Sequence, residues 1–453
     1  MQLTSPAFLF LFLPLSLAAL FLVPQRGRLL TLSLISGLWL LLVNLYNPWG
    51  LLQLFLLIAL TLAIALPRRR PQWLTVLGVT LPLCGLVAAR VLTALSLSYS
   101  YPTGLFFITL SAVSLVLDRS REPNRGRAAE AVCYLLFYPT ASLGPVVRYK
   151  RFVQLFRRAQ PSGELFCEGI RHFMLGFIKR IALAAVFGRT LEDLLNTHGA
   201  LPLSSLPFFL LISLFYFYFF ISGTTDMARG ISAMYGLRLP HDRDNLLLTT
   251  APHTMFYGLF LSLRRYAEHY LLRPLKKRLP NTLGKVLACV LLFVCFVLFW
   301  GIPPVALPFF LPVLVSMLIA ELHAPPRRKP PKPLRVLYFF LSALYCSLFA
   351  LLVSSGTLTR TVSLFTAIFS FSDTRFYQFY FLLPDMQYVT AVLLVFSAVL
   401  GLNHLFRSLR KRLGERTRLI AWLSITALLF VGFAFSIMFF LPQFPQYATQ
   451  LPL

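Results

Sequence analysis

Long apolar runs recur along this chain, and short clusters of arginine and lysine punctuate them. That alternation constrains the fold more than any single motif. A helix of about 20 apolar residues crosses the ~30 Å hydrocarbon layer of a bilayer. Inside lipid every backbone polar group must be satisfied within the structure, which favours helices. Candidate spans lie at 6–24, 29–46, 50–66, 73–97, 104–117, 131–146, 172–188, 206–222, 251–275, 286–302, 305–321, 336–355, 386–403 and 419–441. Hydrophobic residues make up 58% of the 453 and charged ones 13%, about half the roughly 25% usual in a soluble domain. The expectation is an all-α polytopic membrane protein, with about 11 full crossings plus re-entrant or interfacial helices around a central cavity.

The formal charge is +27, from 42 Lys and Arg against 15 Asp and Glu. In a soluble chain that excess would suggest nucleic acid. Here the cations sit between apolar runs, as in Arg26-Gly-Arg28, Arg68-Arg69-Arg70, Arg327-Arg328-Lys329 and Arg410-Lys411-Arg412. That is the positive-inside pattern of cytoplasmic loops beside anionic lipid, so the lipid bilayer is the expected partner and nucleic acid is not. The loops near 47–49, 98–103, 195–204 and 356–361 are almost uncharged, which places both termini outside the cytoplasm if 131–146 and 251–275 do not fully cross. The apolar opening from Ala7 lacks a basic n-region and reads as a retained first span.

The chain reads as one integral membrane domain, 1–453. It has N-terminal helices over 1–117, a motif-bearing core over 131–322, a Pro-rich basic cytoplasmic linker "APPRRKPPKPLR" at 324–335, and C-terminal helices over 336–453. The six cysteines form no C-x-x-C pair and read as small buried hydrophobes. The seven histidines are scattered, and no metal-spaced set is present.

Ionisable or irregular stretches at membrane depth usually face a partner or a cavity. In "LLFYPTASLGPVVRYKRF", Pro139, Gly144 and Pro145 interrupt the helix. This is either a re-entrant cavity wall with Arg148 at its rim or a juxtamembrane turn with a snorkelling Arg148. In "YFYFFISGTTDMARGISAMYGLRLP", Asp226 either pairs with Arg229 at i, i+3 or caps a helix starting near Ser222. In "FYGLFLSLRRYAEHYLLRPLKKRLP", Arg264, Arg265, His269 and Arg273 recur at helical spacing, as in an amphipathic interfacial helix or a solvated basic face. Arg90 lies inside an apolar run, facing either a buried acid or a headgroup.

These segments, in this order, resemble the membrane-bound O-acyltransferase family, in its bacterial branch of alginate O-acetylation and teichoic acid D-alanyl transfer. "FYPTASLGPVVRYKRF" is similar to the branch's F-F-P-x-x-x-x-G-P-I-x-R-[YF]. "GIRHFMLGFIKRIALA" matches its next segment at Gly169, Phe173, Gly176, Lys179 and Arg180. "FISGTTDMARGISAMYGLRLP" matches D-F-S-G-Y-S-D-M-A-x-G through Gly223, Asp226, Met227, Ala228 and Gly230, with Gly236 and Pro240 beyond. "LSLRRYAEHYLLRPL" resembles I-S-L-S-x-W-x-R-D-Y, with His269 where Asp is usual.

The resemblance implies acyl transfer from a cytoplasmic thioester, acyl-coenzyme A or an acyl carrier protein, to an extracytoplasmic hydroxyl of a cell-surface polysaccharide. The setting would be the bacterial cytoplasmic membrane, no bound cofactor is implied, and partner proteins of envelope acylation are. Lys150, Lys179, Arg180, Arg264 and Arg265 become the expected donor-binding groups. The resemblance also exposes a substitution. The branch's general base is a histidine after Trp in G-L-W-H-G, and here Trp300 is followed by Gly301. A second family histidine has Phe260 in its place. Imidazole suits proton abstraction because its pKa lies near the working pH, and glycine offers nothing. Two expectations stand: an active acyltransferase whose base is His253, His269 or Asp226, or a non-catalytic partner, scaffold or lipid-binding subunit.

Overall fold

The computed structural model describes residues 3–300 apart from 68–70, 95–99, 123–125, 143, 160–161, 196–205, 241–260 and 279–280, then scattered positions between 311 and 366, and residues 415–439. His253, Phe260, Gly301, the 324–335 linker and the side chain of Trp300 lie outside the described residues. Every described element is helical. The chain forms two compact units: Met1–Phe173 with Thr224–Ser342, and Met174–Gly223 with Ala343–Pro452.

The first unit opens with a π turn, Phe8–Phe12, that runs into α1, Leu13–Leu22. Then follow α2 (Arg28–Val43), α3 (Pro48–Ala65) and α4 (Gln72–Ala94). The start of α3 is written locally. Pro48 pre-sets the first helical φ, and the Asn47 side chain accepts the Gly50 N–H at 3.0 Å, which supplies one of the acceptors that a helix start lacks. On α2 to α4, Leu30, Leu34, Leu41, Phe55, Trp73 and Val76 are exposed. Apolar surface on that scale marks a face covered by lipid or a partner. The chain is a polytopic membrane protein. Among the described residues, Pro48–Ala65, Gln72–Thr93 and Leu206–Met234 are long and apolar enough to cross, with shorter apolar helices at Phe8–Leu22, Arg28–Val43, Thr282–Val294 and Leu423–Met438.

Helix α5, Leu105–Arg121, is the buried axis of this unit; Ser114, Asp118 and Arg119 are buried along with its apolar residues. The apolar run beginning at 131 does not continue as one helix. It breaks into α6 (Ala128–Leu136), a single turn α7 (Tyr138–Ala141) and a non-helical stretch at 144–148, before α8 (Tyr149–Arg157). The break has a steric cause beyond the prolines. Gly144 folds back on α7 so closely that a Cβ there would meet the Pro139 carbonyl oxygen and lie 2.9 Å from Thr140 Cα. Buried hydroxyls tie α7 into the unit. Tyr138 and Tyr235 share a 2.8 Å hydrogen bond, and Tyr235 reaches Ser16 of α1 at 2.7 Å.

Two expected boundaries shift. The 172–188 segment is part of a longer helical run: α9 (Gly163–Phe177), a π turn at Ile178–Leu183, and α10 (Ala184–Leu195). The 206–222 segment continues without interruption to Met234 as α11 (Leu206–Met234). Both α9 and α11 carry glycines seven residues apart, Gly169 and Gly176 against Gly230 and Gly223. In the first unit a Cβ on Gly230 would lie 2.7 Å from the Gly169 carbonyl oxygen. In the second, a Cβ on Gly223 would lie 2.8 Å from the Gly176 carbonyl oxygen and from the Arg180 nitrogen. Removing both side chains lets two backbones touch, as small residues do between membrane helices.

The first unit continues with α12 (Leu261–Ala267), a π turn at Glu268–Leu272, α13 (Arg273–Arg278) and α14 (Asn281–Trp300). In the second unit, Phe187, Phe215 and Phe219 stack on one another, and α15 (Glu415–Phe439) sets Phe433 against Phe177 at 4.9 Å.

Candidate functional site

The site grows from one polar face of α5. Ser114 and Asp118 lie four residues apart on it, so both project to the same side. Asp118 accepts the Tyr270 hydroxyl proton at 2.7 Å and the Lys150 N–H at 2.9 Å. Ser114 accepts the Tyr149 N–H at 2.9 Å and bonds the Tyr270 hydroxyl at 2.8 Å. Because Tyr270 gives its proton to Asp118, Ser114 donates in that last contact. Elsewhere the Ser262 hydroxyl accepts the Val146 N–H at 2.8 Å, Tyr134 donates to the Val147 carbonyl at 2.7 Å, and Tyr266 donates to the Leu110 carbonyl at 2.9 Å. The non-helical 144–148 stretch is thereby held by Ser262 at Val146 and by Tyr134 at Val147. Irregular backbone at membrane depth is tolerated on that condition.

Pinning Tyr149 to α5 and Tyr270 to the same point sets four neighbours along one rim: Arg148, Arg121 three residues beyond Asp118, His269 beside Tyr270, and Arg273 one turn later. Arg121 and Arg273 are exposed, while Arg148 and His269 are half-buried. The π turn at Glu268–Leu272 carries His269 and Tyr270, a geometry frequent at functional positions. Burial and then the Arg148 guanidinium depress the His269 imidazole pKa, and Arg121 and Arg273 add to this while Asp118 opposes it. The ring is held toward its neutral form.

A second pin holds α8. Buried Glu130 accepts the Arg127 N–H at 2.7 Å and two hydrogen bonds from the Arg157 guanidinium at 2.9 and 3.0 Å. Burial pushes the Glu130 pKa up, but the bonds from Arg157 and Arg127 outweigh it and hold the carboxyl below the usual range.

The residues expected from sequence divide by place. Pro139, Gly144 and Pro145 lie on the interrupted stretch and are buried, and Arg148 at its end is half-buried. Lys150 is committed to Glu122 at 2.9 Å and Arg264 to Glu268 at 3.0 Å, and Arg265 is exposed. Lys179 and Arg180 sit on the π turn of the second unit. Lys179 donates to Ser222 at 3.2 Å, and buried Arg180 lies 3.6 Å over the Phe220 ring. Asp226 is no helix cap, since it lies deep within α11, 2% exposed and 3.7 Å from Arg229. The Arg90 guanidinium stacks 3.7 Å over the Tyr101 ring. Cys133 and Cys289 are buried as expected, whereas Cys84 and Cys167 are exposed. Asp118, Ser114, Tyr270 and Arg121 were not singled out by the sequence reading. The signal was a serine and an aspartate at i, i+4 closing an otherwise apolar run.

Among the described residues, no three His, Cys, Asp or Glu side chains are placed to hold a metal ion. No family model matches the chain. The chain is 27% identical over 307 residues, 60% of its own length and 59% of the relative's, to probable alginate O-acetylase AlgI of Azotobacter vinelandii. It is 30% identical over 273 residues, 52% and 54% of the two lengths, to the Pseudomonas putida protein of that name. It is 26% identical over 150 residues, 31% and 36%, to the teichoic acid D-alanyltransferase of Streptococcus thermophilus. The chain thus spans less than two thirds of the curated relatives it matches. They are the two kinds of protein in the one bacterial branch that the motif resemblance named.

Proposed function

We propose that this chain, a homologue of the alginate O-acetylases and teichoic acid D-alanyltransferases, is an acyl-transfer protein of cell-surface polysaccharide modification in a bacterial cytoplasmic membrane, with its catalytic base removed. The acyl group of a coenzyme A or carrier-protein thioester would enter at the basic rim of the first unit and meet an extracytoplasmic hydroxyl. The observation that carries the reading is the joining of two motif stretches at Asp118. The 139–150 stretch, through the Lys150 N–H, and the 261–272 stretch, through the Tyr270 hydroxyl, both fasten to Asp118 of α5, and Tyr149 adds a bond to Ser114 one turn away. A chain that keeps this wall but writes Gly301 and Phe260 in place of histidine keeps the scaffold without the group that takes the hydroxyl proton. Loss of a general base costs roughly 10²–10⁴ in rate.

A second reading rests on His269, whose imidazole is held toward the neutral form that a base requires. In it the enzyme is active with a relocated base. The two separate in one assay: full-length protein in nanodiscs with radiolabelled acetyl-coenzyme A and a polysaccharide acceptor. The first reading expects no transfer from the natural chain and a gain in Gly301→His, alone or with Phe260→His. Transfer by the natural chain that disappears in His269→Ala refutes it and establishes the second.

A further inference from the structure

We propose that Arg121, Arg148, His269 and Arg273 form a binding site for a phosphate ester or pyrophosphate group at the rim of the first unit. The charges around them are already spoken for. Asp118 is bonded by Tyr270 and the Lys150 amide, Glu122 by the Lys150 ammonium, Glu268 by Arg264 and Glu130 by Arg157. The guanidiniums of Arg121, Arg148 and Arg273 make no hydrogen bond or ion pair with any described residue. Three guanidiniums therefore stand beside one committed carboxylate and one imidazole. The local balance is an excess of two positive charges, which matches a phosphate dianion. Guanidinium forks bind phosphate oxygens bidentately, and the half-buried setting of Arg148 and His269 weakens competition from water. The backbone that aims Arg148 is fixed on both sides, Val146 and Val147 by Ser262 and Tyr134, Tyr149 by Ser114. Little ordering is left to oppose binding.

This deepens the donor side of the acyl-transfer reading but does not depend on transfer, because binding is read alone. Two sources offer the same chemistry: a soluble phosphate-bearing donor and an anionic lipid headgroup. The full-length protein, in phosphatidylcholine nanodiscs and phosphate-free buffer, is heated with increasing inorganic pyrophosphate. A saturable rise in the unfolding midpoint is expected. Arg148→Gln and Arg273→Gln should each weaken it roughly tenfold or more, the scale of a lost charge-assisted hydrogen bond. Each variant without ligand should be as stable as the natural chain or more so, because like-charge repulsion is relieved. That last result separates a binding role from a structural one. Arg158→Gln, exposed at the end of α8, is the control and should leave the response unchanged.

Displacement of pyrophosphate by coenzyme A, with the same arginine dependence, assigns the site to a soluble donor. Loss of the pyrophosphate response in phosphatidylglycerol nanodiscs assigns it to a headgroup. No response in phosphatidylcholine, or an Arg158→Gln defect equal to that of Arg148→Gln, overturns the proposal.

Discussion

Replacing Gly230 with alanine tests whether the glycine contacts between α9 and α11 hold the molecule together. The added Cβ would lie 2.5 Å from the Phe173 nitrogen, 2.7 Å from the Gly169 carbonyl oxygen and 2.9 Å from Phe173 Cα. All three are backbone atoms, so no side chain can swing aside. Ordinary carbon contacts need about 3.5–4.0 Å, so the two backbones must part by roughly 1 Å. The cost expected for forcing one methyl group into a packed interior is about 1–3 kcal/mol. Separation also strips dispersion contacts from the neighbouring turns, which places Gly230→Ala at the upper end. Gly163→Ala is the internal control, because nothing lies within 4 Å of a Cβ there, and as a gain in helix propensity it should be neutral or slightly stabilising. Unfolding by SDS titration in mixed micelles, followed by tryptophan fluorescence, reads both. A Gly230→Ala protein as stable as Gly163→Ala would refute close backbone packing as the reason for glycine.

Other outcomes follow from the pins around the rim. Tyr270→Phe removes the proton donor to buried Asp118 and should cost about 1–3 kcal/mol in the same titration, while Arg265→Gln, on the exposed side of α12, should cost nothing measurable. Glu130→Gln should loosen α8, seen as faster proteolysis near Arg157, with a loss of about 1–3 kcal/mol. Since the folded carboxyl of Glu130 titrates below the ordinary value of 4.5, its stabilisation is complete above that pH and falls away as pH drops through the lower folded value. The Glu130→Gln protein should lack that part of the acid-induced decline in midpoint. Pyrophosphate binding should tighten as pH falls through the depressed His269 pKa, because protonation adds a cation to a site that already holds Arg121, Arg148 and Arg273 beside Asp118 and Tyr270. His269→Asn should remove that dependence, and an unchanged profile would place His269 outside the site.

Asp226 and Asp118 show where sequence reading succeeds and where it stops. The i, i+3 spacing of Asp226 and Arg229 foretold their pairing, because both ends of that interaction lie on one helical turn. The termination of the run at 131–146 was equally legible, since proline cannot supply an amide hydrogen to the helix. Asp118 looked like the first residue of a polar loop. Its partners are Lys150 and Tyr270, thirty-two and one hundred and fifty-two residues away, and no local spacing reports a contact of that range. Lys179 and Arg180 are neighbours in a motif, but their different settings are not legible there: Lys179 is half-buried, while Arg180 is buried against Phe220 of α11.

The sequence by itself determined that this chain is a helical membrane protein, because lipid leaves an apolar backbone few alternatives, and it named the relatives through motifs whose glycines mark where helices touch. Only the tertiary structure decided which cations are spent in ion pairs and which face outward unmatched. Charge pairing depends on distances of a few ångströms between residues far apart in the chain, and those distances are set by packing.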